Sequence, residues 1–263
     1  MIMPNDKSFR MLGNVSTEAI RLAVLDECGY VKELPASEWH KFPWDEVRLF
    51  MHEYPIYVLP TTELLDVLED LTDGFKTIEI GAGTGNIGRH LGIKMTDSHL
   101  QQSNKTVKAL YELTRQPVIQ YPSDVIKADA LTAYRRFKPE CILGCYVTHL
   151  YRDGMATGNM YGVDFERLLP LVKRLVLVGN KDTHWENPIM SLPHTEIDLH
   201  GGLITRSEDR SGDRIFVWDN LSLASLQFLT LEDIYNAATE KITQYKCNSF
   251  AEYAKNNYRS EVR

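Results

Sequence analysis

Several features are scarce or missing in this chain of 263 residues. No apolar run approaches the roughly 20 residues that a membrane-spanning helix requires, so no membrane partner is expected. Cysteine is sparse. Cys28, Cys141, Cys145 and Cys247 form no C-x-x-C pair and no dense framework, which argues against a disulfide scaffold and reads as reduced thiols in a cytoplasmic protein. Met1 to Lys7 lack the basic-then-apolar layout of a secretory leader. No His/Cys cluster has metal-ligand spacing, and no internal repeat or low-complexity segment is present. Basic residues are in deficit, 29 Lys and Arg against 36 Asp and Glu, and the deficit is local. Residues 1–75 hold six of the former and fourteen of the latter, leaving a nearly neutral remainder. An acidic total disfavours broad contact with nucleic-acid phosphates while leaving a local basic surface, and so a nucleic-acid partner, open. With 43% hydrophobic and 25% charged residues, the rest is ordinary globular material, long enough for one large domain with appendages.

The stretch Lys76 to Gly92 organises the chain. Thr77-Ile78-Glu79-Ile80 reads as a short strand, which breaks into glycines and resumes with helical spacing at Ile87 and Leu91. Glycines suit a strand that turns into a helix within a few residues, because side chains would block the backbone conformations and its close approach to a ligand. Gly83, Gly85 and Gly88 also fit the G-x-G-x-x-G spacing of a dinucleotide site. Two acids separate the readings. Glu79 sits two residues before the first glycine, where it would repel a pyrophosphate and attract an ammonium group. Asp97 follows Gly83 by only 14 residues, short of the ~20 expected for a dinucleotide ribose contact.

Glu79-Ile80-Gly81-Ala82-Gly83-Thr84-Gly85 resembles motif I of the class I S-adenosylmethionine-dependent methyltransferases, of the form acid-x-Gly-x-Gly-x-Gly. The resemblance covers roughly residues 54–220. It implies an α/β fold: a Rossmann-like, doubly wound, mostly parallel seven-stranded sheet with a terminal antiparallel hairpin, plus helical appendages at both ends. It also implies S-adenosyl-L-methionine as cofactor, with Glu79, Gly81, Ala82, Gly83 and Gly85 holding its methionine end. Asp97, ending a second strand from Ile93, is expected at the same sheet edge as Glu79 through a right-handed crossover, with Ser98 beside it. Its paired acceptors suit two ribose hydroxyls, or it caps the following helix. Asp129-Ala130 after the third strand (Val125 to Ala128) resembles the step that touches the adenine amine, and Asp129 also suits a helix cap.

Ile20, Ala23, Val24 and Cys28 share a helical face, with Ser16 and Thr17 available as caps. Pro35 to Asp45 is irregular, its Trp39, Phe42 and Trp44 packing a loop onto a core. Tyr57 and Thr61, ahead of a helix with Leu64, Leu65, Leu68 and Leu71 buried, are placed either to close over the cofactor or to brace that helix. Leu100, Val107, Leu110 and Leu113 mark a helix after Asp97.

Cys141 to His149 is a near-continuous apolar strand, as a buried fourth strand of a parallel sheet should be. Its end, Gly144-Cys145-Tyr146-Val147, lacks the Asp/Asn-Pro-Pro-Tyr/Phe of amino-group methyltransferases, so a small-molecule acceptor is favoured over nucleic acid. Cys145 reads as a structural thiol against the cofactor site, lacking the Pro-Cys of enzymes that attack pyrimidines. His149 is the candidate general base, or else an anchor of its turn. His184 is a second candidate. Tyr151 to Gly162 is a glycine-bearing loop, a substrate lid or a plain connection. Arg152 is placed to meet an acidic group, and Trp185 to stack on a planar substrate.

Asp164 should cap a helix bent at Pro170. Leu199 to Ser207 and Arg214 to Trp218 read as the two arms of the terminal hairpin. Thr230 to Tyr245 and a capping box at Ser249 to Glu252 mark a helical tail, a packed appendage or homodimer contact. The expected divisions are 1–53, an N-terminal helical extension; 54–220, the methyltransferase domain; and 221–263, the C-terminal appendage. The alternative function is a protein that binds the cofactor without transferring its methyl group.

Overall fold

The computed structural model describes residues 15–113, 116–155 and 158–220. The helical tail expected over 221–263, its proposed dimer contact and Cys247 lie outside the described residues. The elements run in order as α1 (Glu18–Val24), α2 (Ala36–Trp39), α3 (Trp44–Glu53), α4 (Thr62–Thr72), β1 (Thr77–Ile80), α5 (Asn86–His90), β2 (Lys94–Asp97), α6 (Leu100–Ser103), α7 (Lys105–Leu113) and β3 (Val125–Lys127). They continue as α8 (Ala130–Phe137), β4 (Cys141–Cys145), α9 (Phe165–Leu168), β5 (Arg174–Asn180), α10 (Lys181–His184), β6 (Thr195–Ile197) and β7 (Asp213–Asp219). The protein is therefore α/β.

The seven strands form one mixed sheet in the order β3-β2-β1-β4-β5-β7-β6. β1 to β5 pair in parallel, and β7 is antiparallel to both β5 and β6. The central strands are buried on both faces, which is why they read as apolar runs: Leu175 to Val178 and Ile215 to Phe216 are fully inaccessible. Side chains from β1, β4, β5 and β7 share a core with Phe165, Leu168 and Ala133 from the helices. A second cluster holds residues 15–53 against the sheet domain, joining Ile20, Val24, Trp39, Val47 and Phe50 to Ile56, Leu59 and Ile204.

Several elements differ from their expected bounds: the strand expected over Cys141 to His149 ends at Cys145, and the helix after Asp164 is a single turn to Leu168 followed by a 3-10 turn that holds Pro170. Trp44 to Glu53 is a regular helix, begun by the extended Pro43 and favoured by Asp45 and Glu46 in its first turn. α1 stops at Val24, leaving Ala23 and Cys28 exposed. The helix after Asp97 is two helices, because the Asn104 carboxamide accepts from the N–H groups of Thr106 and Val107 and restarts the chain. The terminal hairpin uses Thr195–Ile197 as its first arm. Leu199 to Ser207 instead leaves the sheet and pairs with the approach to α4, through Leu59 N–H to the Ile204 carbonyl (3.0 Å) and Arg206 N–H to the Tyr57 carbonyl (2.9 Å).

Phe216 lies at 0% exposure in the strand wedged between β5 and β6. Phe216→Ala is expected to cost about 3–5 kcal/mol, read as a lower denaturation midpoint with an unchanged slope in urea.

Candidate functional site

A cleft of about 960 Å³ opens at the carboxyl edge of β1 to β5, within the size range of a small-molecule site. Each strand sends residues to it as it leaves the sheet: Glu79 and the glycine loop from β1, Asp97 and Ser98 from β2, Asp129 and Ala130 after β3, Cys145 to Thr148 from β4, and Thr183 after β5.

Glu79 is 1% exposed, and its Oε2 accepts the Gly88 N–H at 2.9 Å, so the carboxyl faces the glycine bend and ties it to the start of α5. The approach admits no side chain at 88, where a Cβ would meet Glu79 Oε2 at 2.5 Å and Met95 Cγ at 2.6 Å. Gly81, with φ +60°, is equally constrained, since a Cβ there would stand 2.6 Å from Val147 Cγ2. Burial pushes the Glu79 carboxyl up to about 8, against the opposing hydrogen bonds from Gly88 and Cys145. The Cys145 thiol donates to it, and burial raises that thiol well above its ordinary value.

Asp97 faces Glu79 across the loop. Its Oδ2 accepts the Gly83 N–H (3.0 Å) and its Oδ1 the His99 N–H (2.9 Å), while Ser98 lies at 3.5 Å and the Tyr121 phenol also donates. The Ala82 N–H donates to the Thr96 carbonyl (3.0 Å), which completes the stitching of loop to β2. Asp129 caps α8, accepting from the Thr132 N–H (3.0 Å) and hydroxyl (2.6 Å). Burial works to raise that carboxyl, and the Thr132 bonds outweigh it and hold it low.

Ten of the sequence-predicted residues thus come together around one cleft: Tyr57, Glu79, Gly81, Ala82, Gly83, Asp97, Ser98, Asp129, Ala130 and Cys145. Three do not line it. Thr61 is fully buried, caps α4 through Leu64 N–H and donates to the Gly202 carbonyl, which is the bracing role. Gly85 lies behind the loop, turning the chain into α5 at φ +74°. His149 is 3% exposed with its ring on Phe165 (6.2 Å between centroids, 24° between planes). Its backbone segment pairs with Val163 and Asn159, closing the loop above and turning the ring toward the core. Burial, then the Arg152 charge, lowers its pKa.

The glycine-bearing loop does reach the cleft, through Tyr151 and residues 158–164. Arg152 spends its charge on Asp164 (3.5 Å) and Glu166 at the base of that loop. His184 is buried against the Asn180 backbone, and Trp185 lines a separate, smaller groove. Sequence reasoning passed over Arg89, Tyr111, Tyr121 and Tyr146. Arg89 donates to the Thr84 and Gly85 carbonyls, pairs with Asp124 (2.9 Å) and packs on Tyr30 (3.9 Å), so it clamps the glycine loop from behind. Tyr111 is hydrogen bonded to Tyr57, and Tyr146 stacks on Tyr57 at 5.9 Å. A polar residue directly after a buried parallel strand was the available signal for Tyr146.

No protein-family model matches the chain, and no similar curated protein is found for it. Among the described residues no helix is long and apolar enough to cross a membrane.

Because the folded-state pKa of Glu79 lies above its unfolded value of 4.5, the native state holds a proton that the unfolded state releases as pH rises. This carboxyl therefore weakens the fold progressively from about pH 4.5 to 8. Glu79→Gln is expected to flatten that part of the stability profile and to gain roughly 1–3 kcal/mol at pH 8.5, measured by urea unfolding at pH 5.5, 7 and 8.5.

Proposed function

We propose that this protein is an S-adenosylmethionine-dependent methyltransferase of Rossmann-like fold acting on a small-molecule acceptor. The observation that carries the reading is the buried Glu79 carboxyl directed at the glycine bend, with Asp97 beside it at the next strand end. A carboxyl isolated from water and pushed up to about 8 is a poor neighbour for a diphosphate. A cationic amino-acid group offsets the burial cost and restores the charged form. Among the described residues that line the cleft, Arg167 is the only Lys or Arg, against Glu79, Asp97, Asp129 and Asp164. The sheet supports the same choice, because an antiparallel β7 stands where a dinucleotide fold of order 3-2-1-4-5-6 continues in parallel.

The sulfonium of S-adenosylmethionine supplies an electrophilic methyl carbon when bound. The chain's task is to hold, orient and exclude water. Glu79 would take the ammonium of the methionine end. Gly83 and His99 N–H groups and the Tyr121 phenol fix the Asp97 carboxylate, from which a ribose hydroxyl would have to displace the long Ser98 contact, and Asp129 and Ala130 would border the adenine side. Tyr151 and residues 158–164 line the same cleft. The alternative, a binder that does not transfer the methyl, draws on one observation: no His or Lys is found among the described lining residues. Transfer of labelled methyl from S-adenosylmethionine to any small molecule rules it out.

Titration calorimetry is expected to show both S-adenosylmethionine and S-adenosylhomocysteine binding. Glu79→Gln and Asp97→Asn should each weaken them about tenfold or more. Absence of binding by the native chain overturns the reading. Because the ligand's cation converts Glu79 from acid to carboxylate, binding at pH 7 should release close to one proton, a release that vanishes in Glu79→Gln. Calorimetry at pH 7 in two buffers of different ionisation enthalpy measures it.

A further inference from the structure

His149 stands in the connection between β4 and α9, 3% exposed, and is the one described histidine whose two ring nitrogens are both buried without a hydrogen-bond partner. Either neutral tautomer leaves one donor and one acceptor unmet, a desolvation cost that no polar contact offsets. The ring lies instead on Phe165. The far half of the same connection is paired onto the His149 backbone. The His149 carbonyl accepts the Asn159 N–H (2.9 Å), and Leu150 N–H donates to the Val163 carbonyl (3.0 Å). Val163 N–H donates to the Thr148 carbonyl (3.0 Å), and Tyr151 N–H to the Asn159 carbonyl (2.8 Å). Gly162 packs so closely on this peptide that a Cβ there would collide with the His149 carbonyl.

The acids near the ring are already engaged. Asp164 and Glu166 flank Phe165 in the chain, and Arg152 pairs with both, reaching Asp164 at 3.5 Å. Asp164 also accepts the Arg167 N–H at 3.2 Å. A protonated ring would present two N–H donors with no acceptor in place. It must then move toward water or toward those acids, and one of its two sides has to yield. Phe165, at 0% exposure, belongs to the core under the sheet. The connection is the weaker side, held by a few backbone bonds and carrying exposed side chains such as Met160 at 69%.

We propose that proton uptake by His149 parts residues 148–151 from residues 159–163 and so opens one wall of the cleft in acid. Thr148, Leu150, Tyr151 and residues 158–163 all line the cleft. A ligand seated against them holds the two halves together and in turn keeps His149 neutral, so ligand and proton oppose each other. This gating depends on no particular ligand and stands apart from the methyltransferase reading. Its sign follows from the surroundings of the ring. Burial, then the Arg152 charge, lowers the packed imidazole from its ordinary value of 6.5, with Asp164 and Glu166 acting the other way. The parted state therefore takes up a proton that the packed state refuses, and the packing weakens as pH falls below 6.5. At pH 5 the advantage to the parted state approaches about thirtyfold. Glu79 acts in the opposite sense over this range, its proton uptake strengthening the fold as pH falls, so a loss confined to the connection does not come from that carboxyl.

Amide hydrogen exchange of the full chain without added ligand, at pH 7.5 and 5.0 and scaled to the intrinsic rate at each pH, tests this. The amides of Leu150, Tyr151, Asn159 and Val163 should lose about ten- to thirtyfold of their protection at pH 5, while Leu175 to Val178 on β5 keep theirs. His149→Phe, which leaves a ring to pack on Phe165, should abolish the loss. A second measurement needs no variant: followed by NMR in the native chain, the His149 ring should titrate below 6.5. Equal protection at the two pH values, a loss shared equally by β5, or a loss that survives His149→Phe overturns the proposal. So does a His149 ring that titrates at 6.5 or above in the native chain.

Discussion

The hydrogen bond from the Gly88 N–H to the buried Glu79 carboxyl sets the geometry on which the cleft depends. It spans from the end of β1 to the first turn of α5, so the glycine bend between them has its two ends fixed. The bond needs position 88 to carry no side chain, since a Cβ there would meet both Glu79 Oε2 and Met95 Cγ. Arg89 then clamps the outer face of the bend, and Asp97 and the Thr96 carbonyl hold its inner face. An acid in a dry position gains nothing for the fold by itself. Under the proposed function, a cation brought by the ligand would pair with it.

The sheet edge beyond β5 is built by a different device. Parallel strands deliver only their exits to the ligand edge, and β1 to β5 all do so. β7 runs the other way, so its entry reaches that edge, with Asp213 opposite Asn180 at the end of β5. Ser207, Thr205 and Asp213 meet Tyr146 for that reason. Glu79, Asp97 and Asp129 thus line the cleft from strand exits, while Thr205, Ser207 and Asp213 gather at the entry of β7 and touch the cleft lining through Tyr146.

How much of this could be read from the residues differs by kind of feature. The glycine bend and the acids at two strand ends were legible because local chemistry dictates them: few residue types permit the turn, and an acid directly after an apolar strand marks an exit. The order of β/α units was legible for the same reason. Side-chain direction was not. His149 and Thr61 stand in the right segments, yet His149 turns onto Phe165 as its strand end pairs with Val163 in the following loop, and Thr61 caps a helix while bonding the Gly202 carbonyl far along the chain. The first arm of the hairpin was misplaced because Leu199 to Ser207 has an extended pattern that serves Tyr57 and Leu59 rather than the sheet. Tyr146 was passed over because its contact with Ser207, sixty-one residues away, and its positive backbone angle are not announced by composition.

The second hydrophobic cluster has a consequence for how the molecule is put together. Tyr57 reaches the cleft from a segment whose neighbours Ile56 and Leu59 are seated on Trp39, Phe50 and Val24. The same cluster includes Ile204, one residue before the hydroxyl pair at Thr205 and Ser207. Residues 15–53 are therefore a foundation for the cleft wall as well as an extension of the sheet domain. Because Tyr30, on which the Arg89 clamp packs, belongs to the same portion, residues 15–53 support the bend after β1 as well as the opening beside Tyr57.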